Sequence, residues 1–265
     1  MKITILFSIL IFSFAISAAE YVSLTLKNST TIEGEFIDRY EDRWFYEEDT
    51  ELVDKYILIF RYLNGRPDFS FQHIKDIKNI RKLYTDESIY KDYLRSNNLV
   101  LKNPLVKNQV VLTGNEGHHK FERMYGNFAW DIGITDASGR QYVHSGMKLD
   151  DYYIFDREVV SPIDGRVVGK VSDQLDNLPS PDFYGDLSDK KSNYLIIQVD
   201  KQLYLSIVHF KKDSISVNVG DFITSGQELG KVGNSGVSYI PHLHYTMYIY
   251  IPSYNRFISV PGVWK

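Results

Sequence analysis

Two histidines separated by one residue stand in Pro241-His242-Leu243-His244, shortly after Gly233-Asn234-Ser235-Gly236. On a β-strand, both imidazole rings point to the same face, because strand side chains alternate with a period of two residues. Such a pair can bind a metal ion, or one ring can bind the metal while the other transfers protons. The glycine-rich turn beside the pair is expected to let a substrate backbone approach closely.

A second set of metal-ligand residue types lies far upstream, at His118, His119 and Asp131. Asp131 belongs to a predicted strand, Phe128-Ala129-Trp130-Asp131-Ile132-Gly133-Ile134, in which the bulky apolar residues share one face. On the other face the carboxylate stands between Ala129 and Gly133, so it opens onto free space, as a ligand carboxylate must. Histidines and a carboxylate, with further unligated histidines nearby, are the components of a catalytic zinc site.

The composition limits the classes of function that this chain can have. The 265 residues carry a formal net charge of −4, and a nucleic-acid partner is not expected because no basic stripe is present. The sequence contains no cysteine, so the fold must rest on core packing or a bound metal, and a zinc site must use histidine and carboxylate ligands. The 20 tyrosines and 15 phenylalanines favour β structure.

The N-terminus has the pattern of a secretory signal peptide. One basic residue, Lys2, precedes an apolar run ending at Ile16, and the small residues Ser17, Ala18 and Ala19 follow. The run of about 14 residues is shorter than the roughly 18 that a membrane-spanning helix needs. We therefore predict a signal peptide over residues 1–19 and secretion across the inner membrane. The mature chain is expected in the periplasm or cell envelope, with no stable membrane span.

The remaining chain predicts a mainly β protein. Short strands separated by frequent turns over residues 20–80 are typical of a small β module, of which the SH3-like barrel is one form. A partial apolar stripe over 81–98 predicts a helix within a connector, residues 81–104. From residue 105 to 265, strand patterns with glycine turns predict an antiparallel β-sheet domain. Residues 173–192 are predicted to form a long loop.

The second half of the chain resembles the lysostaphin/LytM-type zinc metallopeptidases of family M23. The resemblance covers residues from about 110 to 250, and its motifs occur in the family's order. The matching segments are His119 to Asp131, 160–168, 204–209, 215–221, 225–230, 233–236 and 241–244. The resemblance implies an antiparallel β-sheet peptidase domain.

In that family, a histidine, an aspartate and the second histidine of the His-x-His pair bind zinc. The resemblance thus implies His119, Asp131 and His244 as ligands of Zn²⁺. Many members carry the first ligand four residues before the aspartate, where this chain has Asn127. The ligand must then come from further upstream, and His118 remains the alternative to His119, because adjacent strand residues face opposite ways.

The resemblance further implies that His209 and His242 are catalytic, as the acid–base pair of a zinc metalloendopeptidase. The expected substrate is peptidoglycan, with hydrolysis of its peptide cross-links or stem peptides. The alternative is a non-catalytic protein of the M23 fold that binds the cell wall or activates another wall hydrolase, and Asn127 is its main support. The sequence does not specify which bond is cleaved, nor the oligomeric state.

Overall fold

The computed structural model describes residues 19–41, 54–85, 87–105, 111–112, 124 and 126–265. Residues 1–18 of the predicted signal peptide, as well as His118 and His119, lie outside the described residues. Within those residues, no helix has the length and apolar character needed to cross a membrane. The predicted class, mainly β with antiparallel pairing, is confirmed.

The N-terminal strands form a five-stranded antiparallel sheet in the order β4-β3-β2-β1-β5. Its strands are β1 (Ala19–Leu26), β2 (Thr31–Glu41), β3 (Lys55–Leu63), β4 (Arg66–His73) and β5 (Ile77–Thr85). Alternating apolar residues of β1 to β3 pack into a small core with Val22, Leu24 and Ile59 at its centre. The described strands leave β4 and β5 as the sheet edges, so no closed barrel is seen among them.

A two-residue turn joins β3 to β4. Asn64 and Gly65 have φ angles of 52° and 73°. Two successive positive φ angles in a two-residue hairpin loop match the right-handed twist of the flanking strands, and Asn-Gly is the pair that adopts them most readily.

The predicted helix over 81–98 is wrong at its N-terminal end. Residues up to Thr85 belong to β5 and pair with β1, and only Ile89–Ser96 form a helix, α1. The helix begins after Ser88, whose hydroxyl accepts a hydrogen bond from the Lys91 backbone N–H at 3.0 Å. The stripe from Tyr90 to Leu94 is therefore a genuine helix signal, whereas the residues before it adopt the extended form of a strand.

The second sheet carries Asp131 and His244 on its strands, and His209 and His242 lie directly beside strand ends. Its described strands follow the order β12-β9-β10-β11-β14-β7-β6, with β15 paired to β14, and β8 pairs with β13 separately. The strands are β6 (Val111–Leu112), β7 (Trp130–Gly133), β8 (Glu158–Val160), β9 (Gly165–Val171), β10 (Tyr194–Gln198), β11 (Leu203–Val208), β12 (Phe222–Ile223), β13 (Glu228–Lys231), β14 (Leu243–Ile251) and β15 (Arg256–Ser259).

The two sheets share one hydrophobic core, which runs from the inner residues of β3 through α1 to those of β11 and β14. Tyrosine hydroxyls bond across the junction. Tyr40 donates to the Ser259 carbonyl at 2.6 Å, Tyr90 donates to the Pro261 carbonyl at 2.8 Å, and Tyr93 bonds the carboxylate of Asp200. Burial and the carboxylate of Asp38 raise the pKa of Tyr40, so its hydroxyl stays protonated and donates.

Tyr40→Phe is expected to destabilise the protein by about 1–2 kcal/mol, because the buried Ser259 carbonyl loses its donor. The measurement is the free energy of unfolding in urea. The control is Tyr84→Phe, because Tyr84 is 76% exposed. If both substitutions lowered the free energy of unfolding equally, the Tyr40 hydroxyl at the junction would contribute nothing to stability.

Candidate active site

Asp131 and His244 meet because their strands are neighbours in the sheet. They are directly paired residues of β7 and β14, so their side chains lie on the same face. His244 Nδ1 is 2.9 Å from Asp131 Oδ1. His242 lies just before β14, and its Nε2 is 3.6 Å from the same carboxylate oxygen. Both histidines of the pair thus face the same carboxylate at the start of β14, as the alternation of strand side chains predicts.

His209 completes the group from the end of β11. Its ring centroid is 4.6 Å from that of His242 and 6.0 Å from that of His244. The residue has a φ of 71°, a conformation that costs of order 1–3 kcal/mol for a residue other than glycine. The described structure therefore brings together His209, His242, His244 and Asp131 from three separate parts of the sequence.

Hydrogen bonds to carbonyl groups determine which ring nitrogens carry protons. His209 Nδ1 is 2.7 Å from the Ser235 carbonyl, and His242 Nδ1 is 2.8 Å from the Ile240 carbonyl. A carbonyl oxygen only accepts, so in both rings Nδ1 carries the proton. Burial, together with the neighbouring rings of His242 and His244, holds the pKa of His209 well below its ordinary value. His209 is therefore neutral, with its lone pair on Nε2.

The glycines of Gly233–Gly236 are needed for contacts within the chain itself. A Cβ on Gly236, whose φ is 83°, would collide with the side chain of Ser192. A Cβ on Gly233 would collide with the backbone of Lys211. At these two positions the backbone lies close to neighbouring loops of the protein, which leaves no room for a side chain.

Buried polar residues that the sequence analysis missed hold His209 in position. Asn193 is fully buried, and its carbonyl accepts the His209 backbone N–H at 3.0 Å. The Asn193 backbone N–H donates to Ser235 Oγ at 3.0 Å. The Asn193 side chain accepts a hydrogen bond from the Gln174 backbone N–H and donates one to the Gln174 carbonyl. The sequence signal is weak, since Asn193 stands where the long loop ends and the apolar strand β10 begins.

The predicted long loop lies against the Gly-Asn-Ser-Gly segment. Asp176 Oδ1 accepts the Asn234 backbone N–H at 2.7 Å, and Asn177 Nδ2 donates to the Gly236 carbonyl at 2.6 Å. Ser238 Oγ is 2.7 Å from Asn234 Oδ1 and 3.2 Å from His242 Nδ1. Loop, glycine-rich segment and catalytic candidates are therefore one hydrogen-bonded unit.

A trench crosses the sheet beside the histidines. Its floor is a row of directly paired residues, Ile196, Ser206 and Thr246, from β10, β11 and β14. Two adjoining cavities of about 740 and 380 Å³ share Ile196, Ser206 and Val208, and His244 lines the smaller one. On the floor beside His244, the small side chains of Ser206 and Thr246 leave room for an extended chain. On the next row of the same strands, Tyr204 and Tyr248 stack at 5.9 Å.

The other histidines and Asn127 have different roles. His73 Nε2 bonds Asp54 at 3.0 Å in the first sheet, and His144 is exposed. Asn127 is 2% exposed and its Nδ2 lies 3.4 Å from the Arg39 carbonyl and 3.5 Å from Asp38 Oδ2, so this position packs against β2. Neither His118 nor His119 lies among the described residues.

The donor set fits zinc as far as the structure describes it. In the described ranges, no cluster of three or more histidine, cysteine, aspartate or glutamate side chains is arranged to hold a metal ion. His244 Nδ1 and Asp131 Oδ1 nevertheless face each other, and an imidazole with a carboxylate is a donor pair that Zn²⁺ accepts. A third ligand is expected at His119 or His118.

Residues 142–255 match the family model for peptidase family M23. This range contains His209, His242 and His244, whereas Asp131 lies before it. A search of curated proteins gives no match to the sequence.

Solved structures that match this chain include M23 proteins. A mutant catalytic domain of the prophage-encoded M23 protein EnpA from Enterococcus faecalis is 21% identical, with 60% of this chain and 92% of that one covered and a TM-score of 0.37. A zinc-containing peptidase from Vibrio cholerae is 14% identical, with 91% of this chain and 77% of that one covered and a TM-score of 0.36. The lysostaphin catalytic domain from Staphylococcus simulans is 15% identical over 63% and 92%, with a TM-score of 0.32.

The TM-scores of these three structures all lie below 0.5, so the structural likeness is weak. The family match over the histidine-bearing part of the second sheet is independent of those scores. Residues 142–255, somewhat less than half of the chain, are thus similar to peptidase family M23.

Proposed function

We propose that this protein is an exported zinc metalloendopeptidase that hydrolyses peptide cross-links or stem peptides of peptidoglycan. The observation that carries the proposal is the convergence of Asp131, His209, His242 and His244, of which His244 lines the trench. The sequence pattern of residues 1–19 supports export to the periplasm or cell envelope, where peptidoglycan lies.

The proposal divides the chain into four parts. A signal peptide over residues 1–19 precedes a β module over 20–80, and the peptidase domain covers 105–265. The connector between them, 81–104, contains the end of β5 as well as α1.

His244 and Asp131, with His119 or His118, would hold the zinc ion. When bound, zinc lowers the pKa of a water molecule towards neutrality and polarises the scissile carbonyl. The Nδ1 protons of His209 and His242 are donated to carbonyl groups, so Nε2 is the atom of each ring available for proton transfer. One of the pair would take the proton of the attacking water, and a protonated ring would return it to the leaving nitrogen.

The trench supports a peptide substrate with small side chains. Its floor of Ser206 and Thr246 gives depth beside His244, while Tyr204 and Tyr248 limit its width on the next row of the sheet. A bulky side chain pointing down would meet the floor, whereas glycine or alanine would fit.

The decisive experiment digests purified sacculi with the mature chain, residues 20–265. Muropeptide release is expected without chelator, is expected to stop when zinc is removed, and is expected to return on adding Zn²⁺. His244→Ala should give no release, because it removes a ligand. Release that persists both in chelator and in His244→Ala would refute the zinc mechanism.

The non-catalytic alternative is tested by the zinc content of the purified protein. Asn127, its main sequence support, is engaged with β2, so its identity has a packing explanation. A protein that folds, contains no zinc and releases no muropeptides would favour the alternative.

A further inference from the structure

Thr246 lies two residues after His244 on β14, so its side chain is on the same face of the strand. Its Oγ1 is 3.0 Å from His244 Nε2, and the residue is 4% exposed. The other ring nitrogen, Nδ1, faces Asp131. Both nitrogens of His244 therefore have a partner, one on the neighbouring strand and one on its own.

The partner of Nε2 matters because Nδ1 is the nitrogen directed towards the proposed metal position. A neutral imidazole that binds a metal through Nδ1 carries its proton on Nε2. In a largely buried environment this N–H needs an acceptor, since an unsatisfied buried donor is costly. Thr246 Oγ1 is the acceptor in place.

A hydroxyl group suits both states of the ring. Without metal, His244 Nδ1–H donates to Asp131, and the Thr246 hydroxyl can donate its proton to Nε2. With metal, Nδ1 would have given up its proton to solvent and Nε2 would have taken one from solvent, so that Nε2–H would donate to the hydroxyl oxygen after the O–H bond rotates away. The ring keeps its orientation in both states, as it does when the second nitrogen of a metal-binding histidine is held by a fixed partner.

We propose that Thr246 is a positioning residue that fixes the orientation and tautomer of His244 and thereby strengthens zinc binding. The inference rests on the proposed function in one respect, namely that His244 is a zinc ligand. It assigns Thr246 no contact with the reacting atoms.

Ser206 provides the matched control. It pairs directly with Thr246 across β11 and β14, also carries a hydroxyl group and lies on the same trench floor. The residue opposite His244 is Val208, so Ser206 is one row further from the ring. A general effect of removing a hydroxyl from the trench would appear in both variants, whereas loss of ring positioning appears only at Thr246.

The test measures zinc affinity by competition with a chromophoric chelator for the wild type, Thr246→Val, Thr246→Ser and Ser206→Ala. Thr246→Val is expected to bind zinc about tenfold or more weakly. The zinc affinity of Thr246→Ser, which keeps the hydroxyl, should be close to that of the wild type. The zinc affinity of Ser206→Ala should equal that of the wild type. Thermal unfolding of the metal-free proteins shows whether each variant folds, and Thr246→Ala replaces Thr246→Val if the latter does not.

A second readout is the ¹⁵N NMR spectrum of the zinc-loaded imidazoles, in which wild-type His244 should show protonation at Nε2 and slow exchange of that proton with water. In Thr246→Val the exchange should become fast. Unchanged zinc affinity in Thr246→Val, or an equal loss in Ser206→Ala, would overturn the inference while leaving the peptidase proposal intact. A wild type that binds no zinc at all would overturn both.

Discussion

Replacing His242 with alanine is expected to lower kcat/KM on peptidoglycan by at least about a hundredfold while the zinc ion stays bound. The ring of His242 is oriented by the Ile240 carbonyl and lies 4.6 Å from that of His209, so it is placed for proton transfer. Loss of a positioned acid–base group affects the chemical step and not the metal. Steady-state kinetics on isolated muropeptides and zinc analysis of the same sample measure the two quantities.

Two further variants make this result specific. His73→Ala removes a histidine that is bonded to Asp54 in the first sheet, and it should retain wild-type kinetics. His244→Ala should lose zinc as well as activity. If His242→Ala kept more than about a tenth of the wild-type rate, its role in acid–base catalysis would be wrong, because positioned groups contribute at least about a hundredfold.

Gly236→Ala is expected to destabilise the protein, because a steric overlap and an unfavourable backbone conformation combine at this position. The new methyl group would overlap the side chain of Ser192, whose Cα lies 2.8 Å from the Cβ position. The left-handed backbone alone costs an alanine about 1–2 kcal/mol. Displacing the neighbouring chain adds a further ~1–3 kcal/mol. Activity should fall too, because the adjoining Ser235 carbonyl orients His209.

Gly226→Ala separates the two contributions. Gly226 has a φ of 88°, close to that of Gly236, but nothing lies within 4 Å of its Cβ position. It should therefore show the backbone cost alone in urea unfolding and keep its activity. Adding Ser192→Gly to Gly236→Ala should recover part of the lost stability. Equal destabilisation by the two alanine substitutions would show that the contact with Ser192 is unimportant.

Local alternation predicted which side chains share a strand face, whereas the convergence of Asp131, His209, His242 and His244 was implied by the resemblance to family M23. Asp131 between two small residues and the His-x-His pair both followed from the period of two in a strand. The positions of Asn193 and Thr246 could not be predicted in the same way. The Asn193 carbonyl accepts the His209 backbone N–H, and this contact depends on the pairing of β10 with β11. The role inferred for Thr246 depends on the distance between its Oγ1 and His244 Nε2, which no sequence pattern gives.

The boundary between β5 and α1 shows a different limit of sequence patterns. The run from Arg81 to Thr85 contains few apolar residues, and its extended form is fixed by the hydrogen bonds of β1 on the neighbouring strand. Only the capping serine at Ser88 marks locally where the helix begins. Pairing with a distant strand overrides weak local preference there.

The direction of the trench limits how any polymer can be recognised in it. Its floor passes from one strand to the next through Ile196, Ser206 and Thr246, and so it runs across the strands. A chain lying in it cannot extend the sheet as an added strand, because that requires a course along a free edge. Affinity must then come from side chains and isolated polar contacts, whose strength is sensitive to the shape of each successive unit of the polymer.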